Sequence, residues 1–297
     1  MLHADSARNR LIGIGFASAA FLLFSLLDTS AKWLVLSLPL FMVVWLRFVT
    51  HVLFATVLLA PLHGRALVRT RHLRLHLLRA LMFMTMTGLN FLALQYLQLT
   101  VTASIFFAVP LITAVLAARL LGEKLDPGRW IAILTGFAGV LLIVRPGTAD
   151  FHPAMLLAIA NAFLYAAFNM TTRHLAAYDT PETIQYLPAL GAAIGLTPFA
   201  LAAWQWPSGW LEWTIACLLG IFGGLGHHCL TLAHRYAPAS IVAPFLYQQV
   251  FYMAALGYLV FGDVPHPAVW TGAAIVIGSG LYLFARERSR AAPAAAS

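Results

Sequence analysis

The chain is poor in charge. Of its 297 residues only 9% are Asp, Glu, Lys or Arg, where an average soluble domain carries roughly 25%. It is poor in cysteine as well: Cys217 and Cys229 stand alone inside apolar segments, which excludes a disulfide framework and a CxxC-type motif. It has no Walker-type GxxxxGK[ST] segment, so direct coupling to ATP has no support. It has no HExxH motif and no acidic residue beside its His227–His228 pair, so no metal or other cofactor is expected. What it does have is apolar sequence. Hydrophobic residues make up 61% of the chain and mean hydropathy is +0.84. Almost everything from Leu11 to Ala285 reads as candidate membrane span. The expected class is an all-α polytopic membrane protein, with the lipid bilayer as its first partner.

The formal charge of +8 does not point to nucleic acid, because in a chain this apolar the basic residues mark loops on one side of the membrane. The N-terminal "RNRLIGIGFASAAFLLFSLL" continues past its small "ASA" triplet, so it reads as a retained first span rather than a cleaved signal. Turn signals and charges divide the apolar mass into ten spans, at 11–36, 39–60, 75–97, 99–121, 128–146, 153–176, 182–203, 212–234, 238–261 and 267–285. With the N-terminus inside, all of the 18 Lys and Arg residues except Lys32, Arg47 and Arg145 fall on the inner side. Both termini are therefore expected in the cytoplasm. Trp204, Trp206, Trp210 and Trp213 flank an outer loop, where amphipathic rings favour the headgroup layer. The small residues of 287–297 are read as a disordered tail.

The chain also repeats itself. At an offset of 140 residues Tyr96 falls on Tyr236, Gly122 on Gly262, Glu123 on Asp263, Pro127 on Pro267 and Trp130 on Trp270. At 141, Asp28 falls on Asn169, Lys32 on Arg173 and Leu34 on Leu175. Each copy holds five spans, an odd number, so the second must cross in the opposite sense. The paired blocks "PLITAVLAARLLGEKL" and "APFLYQQVFYMAALGYLVFGD" resemble the two EamA repeats of the drug/metabolite transporter superfamily. That resemblance covers about 11–286 and implies ten transmembrane helices as two inverted five-helix EamA-type repeats, 11–147 and 152–286. It also implies a central cavity opening alternately to each side and moving small metabolites. Asp263 departs from the Glu usual in the family at that position.

Polar residues inside spans are the candidate site, since a charge at the bilayer centre costs about 2.5–3.5 kcal/mol on insertion scales. Asp28 and Arg47 lie at equal distances from the "SLP" connection between spans one and two, so an antiparallel hairpin puts them at one depth. A direct ion pair is expected, either structural or facing the cavity. Lys32, nearer the tip, is expected to snorkel to the outer headgroups. Glu123 and Asp263 read as helix-end residues in solvated networks. His227 and His228 sit in a small-residue stripe of span eight, whose repeat counterpart in span three carries Asn90. The histidines make protons a candidate coupling ion. Pro244, Gln248 and Tyr252 share a helical face of span nine, with Tyr247 beside it, while Asn161, Tyr165 and Asn169 form a further i, i+4, i+8 stripe. Aromatic rings beside amides suit an amphipathic organic solute.

The function expected is a secondary transporter of small organic metabolites in a bacterial inner membrane, most simply an exporter of amino acids or drug-like solutes, acting as a monomer or homodimer. Import of a vitamin or nucleoside-like cofactor is the alternative. A polytopic enzyme is a third reading, weakened because nothing completes a catalytic set around the histidines. A channel is weakened by the lack of a repeated charged or carbonyl filter.

Overall fold

Apolar residues this dense leave the backbone no water to bond, so it satisfies itself as helix. In the computed structural model, which describes residues 6–121 and 127–294, no strand occurs among the described residues and most of them are helical. The first repeat consists of α1 (Ala7–Val35), α2 (Leu40–His63, extended by a 3-10 turn to Val68), α3 (Leu73–Leu94), α4 (Leu99–Phe106), α5 (Val109–Leu121) and α6 (Pro127–Val144). The second consists of α7 (Ala154–Leu175), α8 (Pro181–Ala202), α9 (Trp210–Tyr236), α10 (Ala239–Val242), α11 (Gln249–Phe261) and α12 (Pro267–Ala294). Among the described residues nine helical segments are each long and apolar enough to cross a bilayer. The tenth crossing combines α10, a 3-10 stretch over Ala243–Gln248, and α11.

Spans four and nine, expected as continuous helices, are thus both broken, and at equivalent places. Pro110 has no N–H to give the Phe106 carbonyl and Pro244 none to give that of Ser240, so the regular ladder fails ahead of each proline. The chain answers with tighter bonds, Ala108 N to Ile105 O at 3.1 Å in the first case and the 3-10 turns in the second. Interrupted helices in corresponding positions of two inverted halves are typical of transporter folds. A second correction concerns the end of the chain. The backbone expected to be disordered from residue 287 stays helical to Ala294, because the good helix formers of "ARERSRAA" extend a helix already nucleated. Residues 295–297 lie outside the described residues, as does Glu123.

The two repeats exchange parts. The third crossing of each packs against the first two crossings of the other: α9 along α1 and α2, and α3 along α7 and α8. α1 and α2 consequently barely touch. The last crossings, α6 and α12, pack against each other. Without a hydrophobic drive between helices in lipid, close approach depends on small side chains. A Cβ built on Gly220 of α9 would lie 2.1 Å from the His51 amide nitrogen and 2.3 Å from the Thr50 carbonyl carbon of α2, so α2 and α9 touch backbone to backbone there. At the α6–α12 crossing a Cβ on Gly139 would lie 2.9 Å from the Gly272 carbonyl oxygen, and one on Gly272 would lie 2.7 Å from that of Gly139.

Candidate functional site

Between the bundles lies a cavity of about 180 Å³ that touches α1, α2, α3, α4, α7, α9 and the span-nine segment. Of the residues expected at the site, Asp28, Arg47, Asn90, Asn161, Tyr165 and His227 line it together. Its walls are aromatic: Phe24 packs edge-on to His227 at 5.0 Å between centroids and Phe106 edge-on to Tyr165 at 4.7 Å. Gln249, Thr87, Thr102 and Phe83 also face the cavity.

The direct Asp28–Arg47 ion pair does not form. α9 stands between α1 and α2 and splays the hairpin, so equal depth does not become contact. Asp28 instead accepts a hydrogen bond on Oδ1 from the Asn90 amide, at 3.0 Å. Arg47, 4% exposed, lies against a pair of rings packed edge-on to each other, its guanidinium carbon 4.4 Å from the Phe48 centroid and 4.7 Å from that of Phe83. Its Nη1 has no hydrogen-bond partner, nor has Oδ1 of Asn161. A positive charge beside aromatic rings is electrostatically favourable.

The remaining expected residues stand elsewhere. Asn169 is one turn beyond Tyr165 and does not line the cavity. His228 turns away from His227, as consecutive helical residues must, into a separate small cavity of about 20 Å³ shared with His51, Gln185 and Tyr186. Gln248 donates to Ser18 Oγ at 2.9 Å and accepts from the Tyr252 hydroxyl at 3.2 Å, so that pair ties the span to α1. Tyr247 is buried against Phe107, 5.2 Å between centroids, with its hydroxyl over Gly280. It is core.

Three buried charged clusters escaped the sequence reading. Lys32 does not snorkel: its Nζ lies 2.8 Å from Asp263 Oδ2 and donates to the Leu97 carbonyl at 3.1 Å, with the Phe261 ring 4.6 Å away. Gly262, at φ +69°, makes this possible. It ends α11 in the left-handed conformation and lets the Asp263 amide bond back to Gly257 O at 3.1 Å. Arg79, 2% exposed, donates to the Ile184 carbonyl at 2.6 Å and to Thr172 Oγ1 at 2.9 Å, joining α3 to α7 and α8. Finally, Asp179, in the α7–α8 connection, accepts from Thr70 Oγ1 at 2.8 Å and lies 2.9 Å from His76 Nε2.

Burial pushes the Asp179 carboxyl up, but the His76 and Thr70 hydrogen bonds outweigh it and hold it below its ordinary value. A carboxylate depressed in the folded state stabilises above its unfolded pKa, and that contribution fades as pH falls through the folded value. Asp179→Asn is therefore expected to lower the melting temperature in detergent at pH 7, and the gap should close on acidification below about pH 4. A gap that is constant with pH would show that the carboxylate charge contributes nothing.

Among the described residues no group of three or more His, Cys, Asp or Glu is placed to hold a metal ion.

Comparison with known proteins agrees with the arrangement. The sequence pattern of the EamA-like transporter family matches twice, over residues 11–145 and 152–285. A riboflavin transporter of Vibrio cholerae is 30% identical over 270 residues, 88% of this chain and 89% of that protein. An S-adenosylmethionine uptake transporter of Rickettsia felis is 27% identical over 288 residues, 96% of each. A pseudopaline exporter of Pseudomonas aeruginosa is 24% identical over 267 residues, covering 89% of this chain and 93% of that one. One solved crystal structure superposes with a TM-score of 0.62 at 20% identity, covering 94% of this chain and 96% of its own, which supports the fold alone. Two matches to one repeat pattern, together spanning nearly the whole chain, place this protein in the EamA-like transporter family.

Proposed function

We propose that this transporter imports a vitamin- or nucleoside-like cofactor across a bacterial inner membrane, with both termini in the cytoplasm. The observation that carries the reading is the mid-bundle cavity, aromatic on its walls and furnished with the polar groups of Arg47, Asn90, Asn161 and Gln249. Such a site suits a planar, amphipathic solute better than a small aliphatic amino acid, which would leave the rings unfilled. Export, the first expectation from the sequence, is the weaker reading. The relative named for uptake matches 96% of the chain, and the relative named as an exporter shares less identity. Alternating access about a midplane site follows from the inverted repeats. No arrangement of nucleophile and base around the cavity supports catalysis among the described residues.

The test is uptake into proteoliposomes with radiolabelled riboflavin and S-adenosylmethionine, each measured with and without an imposed proton gradient. Saturable accumulation of either above protein-free vesicles is expected. If neither enters, and preloaded vesicles instead release one of them through the protein, the import reading is wrong.

A further inference from the structure

The connection from α2 to α3 carries Arg65, Arg69, Arg71 and Arg74, four arginines in ten residues, and no Asp or Glu occurs from residue 29 to residue 122. All four arginines are exposed. None of their guanidinium groups pairs with a described residue. The carboxylates beside the connection have other partners: Asp179 accepts from Thr70 Oγ1 at 2.8 Å and lies 2.9 Å from His76 Nε2, and Glu182 accepts from Arg235 at 3.4 Å. The connection is nonetheless held in shape. Leu67, 3% exposed, packs with Ala55 and Tyr186, the Ala66 carbonyl accepts from Thr183 Oγ1 at 3.0 Å, and Thr70 Oγ1 accepts from the His72 amide at 2.9 Å. Its depth follows from the flanking helices. Leu58 and Leu62 of α2 and Leu77, Leu78 and Leu81 of α3 are all exposed, as apolar side chains are where lipid is the solvent. Arg74, Leu78 and Leu81 share one face of α3, and Arg65 follows Leu62 by three residues. Both apolar stripes therefore run out into arginine at one end of the bundle, the level of the headgroup phosphates.

From this placement we infer that the α2–α3 connection binds the headgroups of anionic phospholipids. A guanidinium fork meets two phosphate oxygens at once, which a lysine ammonium cannot do. Clusters of four or more basic residues beside a span attract anionic lipid. A docked anionic headgroup also relieves the mutual repulsion of the four arginines. A zwitterionic headgroup brings an ammonium with its phosphate, so it offsets none of the net charge. Because the connection is already ordered by its bonds to α8 and to the α7–α8 link, docking costs little chain entropy. None of these four arginines lines the central cavity, so the lipid surface stands or falls apart from the import reading.

The test is native mass spectrometry of the full-length protein, released from detergent micelles that hold equal amounts of phosphatidylglycerol and phosphatidylcholine with the same acyl chains. Bound phosphatidylglycerol is expected to exceed phosphatidylcholine by about tenfold or more, and the preference should shrink at high ionic strength. In R65Q/R69Q/R71Q/R74Q, checked for folding by its melting temperature, the ratio should drop to about twofold or less. The paired variants R65Q/R69Q and R71Q/R74Q should each remove part of the preference, and they carry the test if the fourfold variant does not fold. Equal binding of the two lipids by the wild type overturns the proposal. So does a variant set that keeps more than half of the wild-type ratio, because the anionic lipid then sits elsewhere. Inorganic phosphate, added at constant ionic strength, should not displace the lipid; displacement would make this a site for the free anion and overturn the lipid assignment.

Discussion

Gly220→Ala is expected to yield little folded protein, and what is recovered should melt well below the wild type. The single added methyl has nowhere to go. Its position lies 2.1 Å from the His51 amide nitrogen, 2.2 Å from Thr50 Oγ1 and 2.3 Å from the Thr50 carbonyl carbon. Two of those three atoms are backbone, so no side chain can swing aside and α2 must separate from α9. Overpacking of this kind costs about 1–3 kcal/mol and more where backbone must shift. The loss also spreads: α9 holds α1 and α2 in place, and through them Asp28 and Arg47. Gly88→Ala is the matched control. Nothing lies within 4 Å of its added methyl, and alanine is the better helix former by about 1 kcal/mol, so stability should hold or rise. Equal melting temperatures for the two variants in detergent would sink the backbone-contact reading of the α2–α9 crossing.

The second large effect is expected at Lys32 and Asp263. Their side chains are 9% and 19% exposed and 2.8 Å apart. Lys32→Met alone leaves a buried carboxylate, and Asp263→Leu alone leaves a buried ammonium. Breaking a buried pair from one side costs about 3–5 kcal/mol, and the residual exposure of Asp263 puts the expected loss toward the lower end. The double variant removes both desolvation penalties and should recover most of the stability, less the bond Lys32 gives the Leu97 carbonyl. A double-mutant cycle on melting temperature measures the coupling. Strictly additive losses would mean that the pair contributes nothing as a pair.

The sequence reading found the number of spans and, except for the last helix, which runs on to Ala294, their boundaries to within a few residues, because apolar runs and turn residues report on bilayer thickness directly. It also found the repeat. What it could not find was azimuth. Counting from the "SLP" connection assigns Asp28 and Arg47 a common depth, but contact needs the two faces to meet, and α9 arrives from the other repeat to part them. The span-nine stripe misled for a related reason. Pro244, Gln248 and Tyr252 share a face only at the α-helical period, whereas Ala243–Gln248 is 3-10. The change of pitch rotates the following residues, and Gln249 rather than Gln248 meets the cavity. Lys32 and Asp263 are 231 residues apart, beyond any local pattern. A signal existed nonetheless: the repeat alignment sets Lys32 on Arg173 and Asp263 on Glu123, a cation kept with a cation and an acid with an acid. Arg47 has no such echo, since Pro188 stands in its place in the second copy. Symmetry was informative about the scaffold and silent about the site.

The crossing of α6 and α12 bears on where such a chain comes from. A Cβ on Gly136 would lie 2.6 Å from Ser279 Oγ, and one on Gly139 would lie 2.9 Å from Val276 Cγ2. Under the repeat offset of 140, residue 136 corresponds to 276 and residue 139 to 279. The two contacts are therefore one contact seen twice, residue i meeting j′ while j meets i′, which is the signature of identical chains related by a two-fold axis. This protein carries a homodimer's interface folded inside a single polypeptide, its halves tied covalently only through the connection from Arg145 to Pro153. Because the halves cross the bilayer in opposite senses, that axis lies in the membrane plane. A free-standing half with this seam has a partner only if some copies insert one way up and the rest the other. Fusing the halves fixes one copy of each in every molecule, and it frees each to accumulate its own charges: Arg47 in one, and a proline where its counterpart would be in the other.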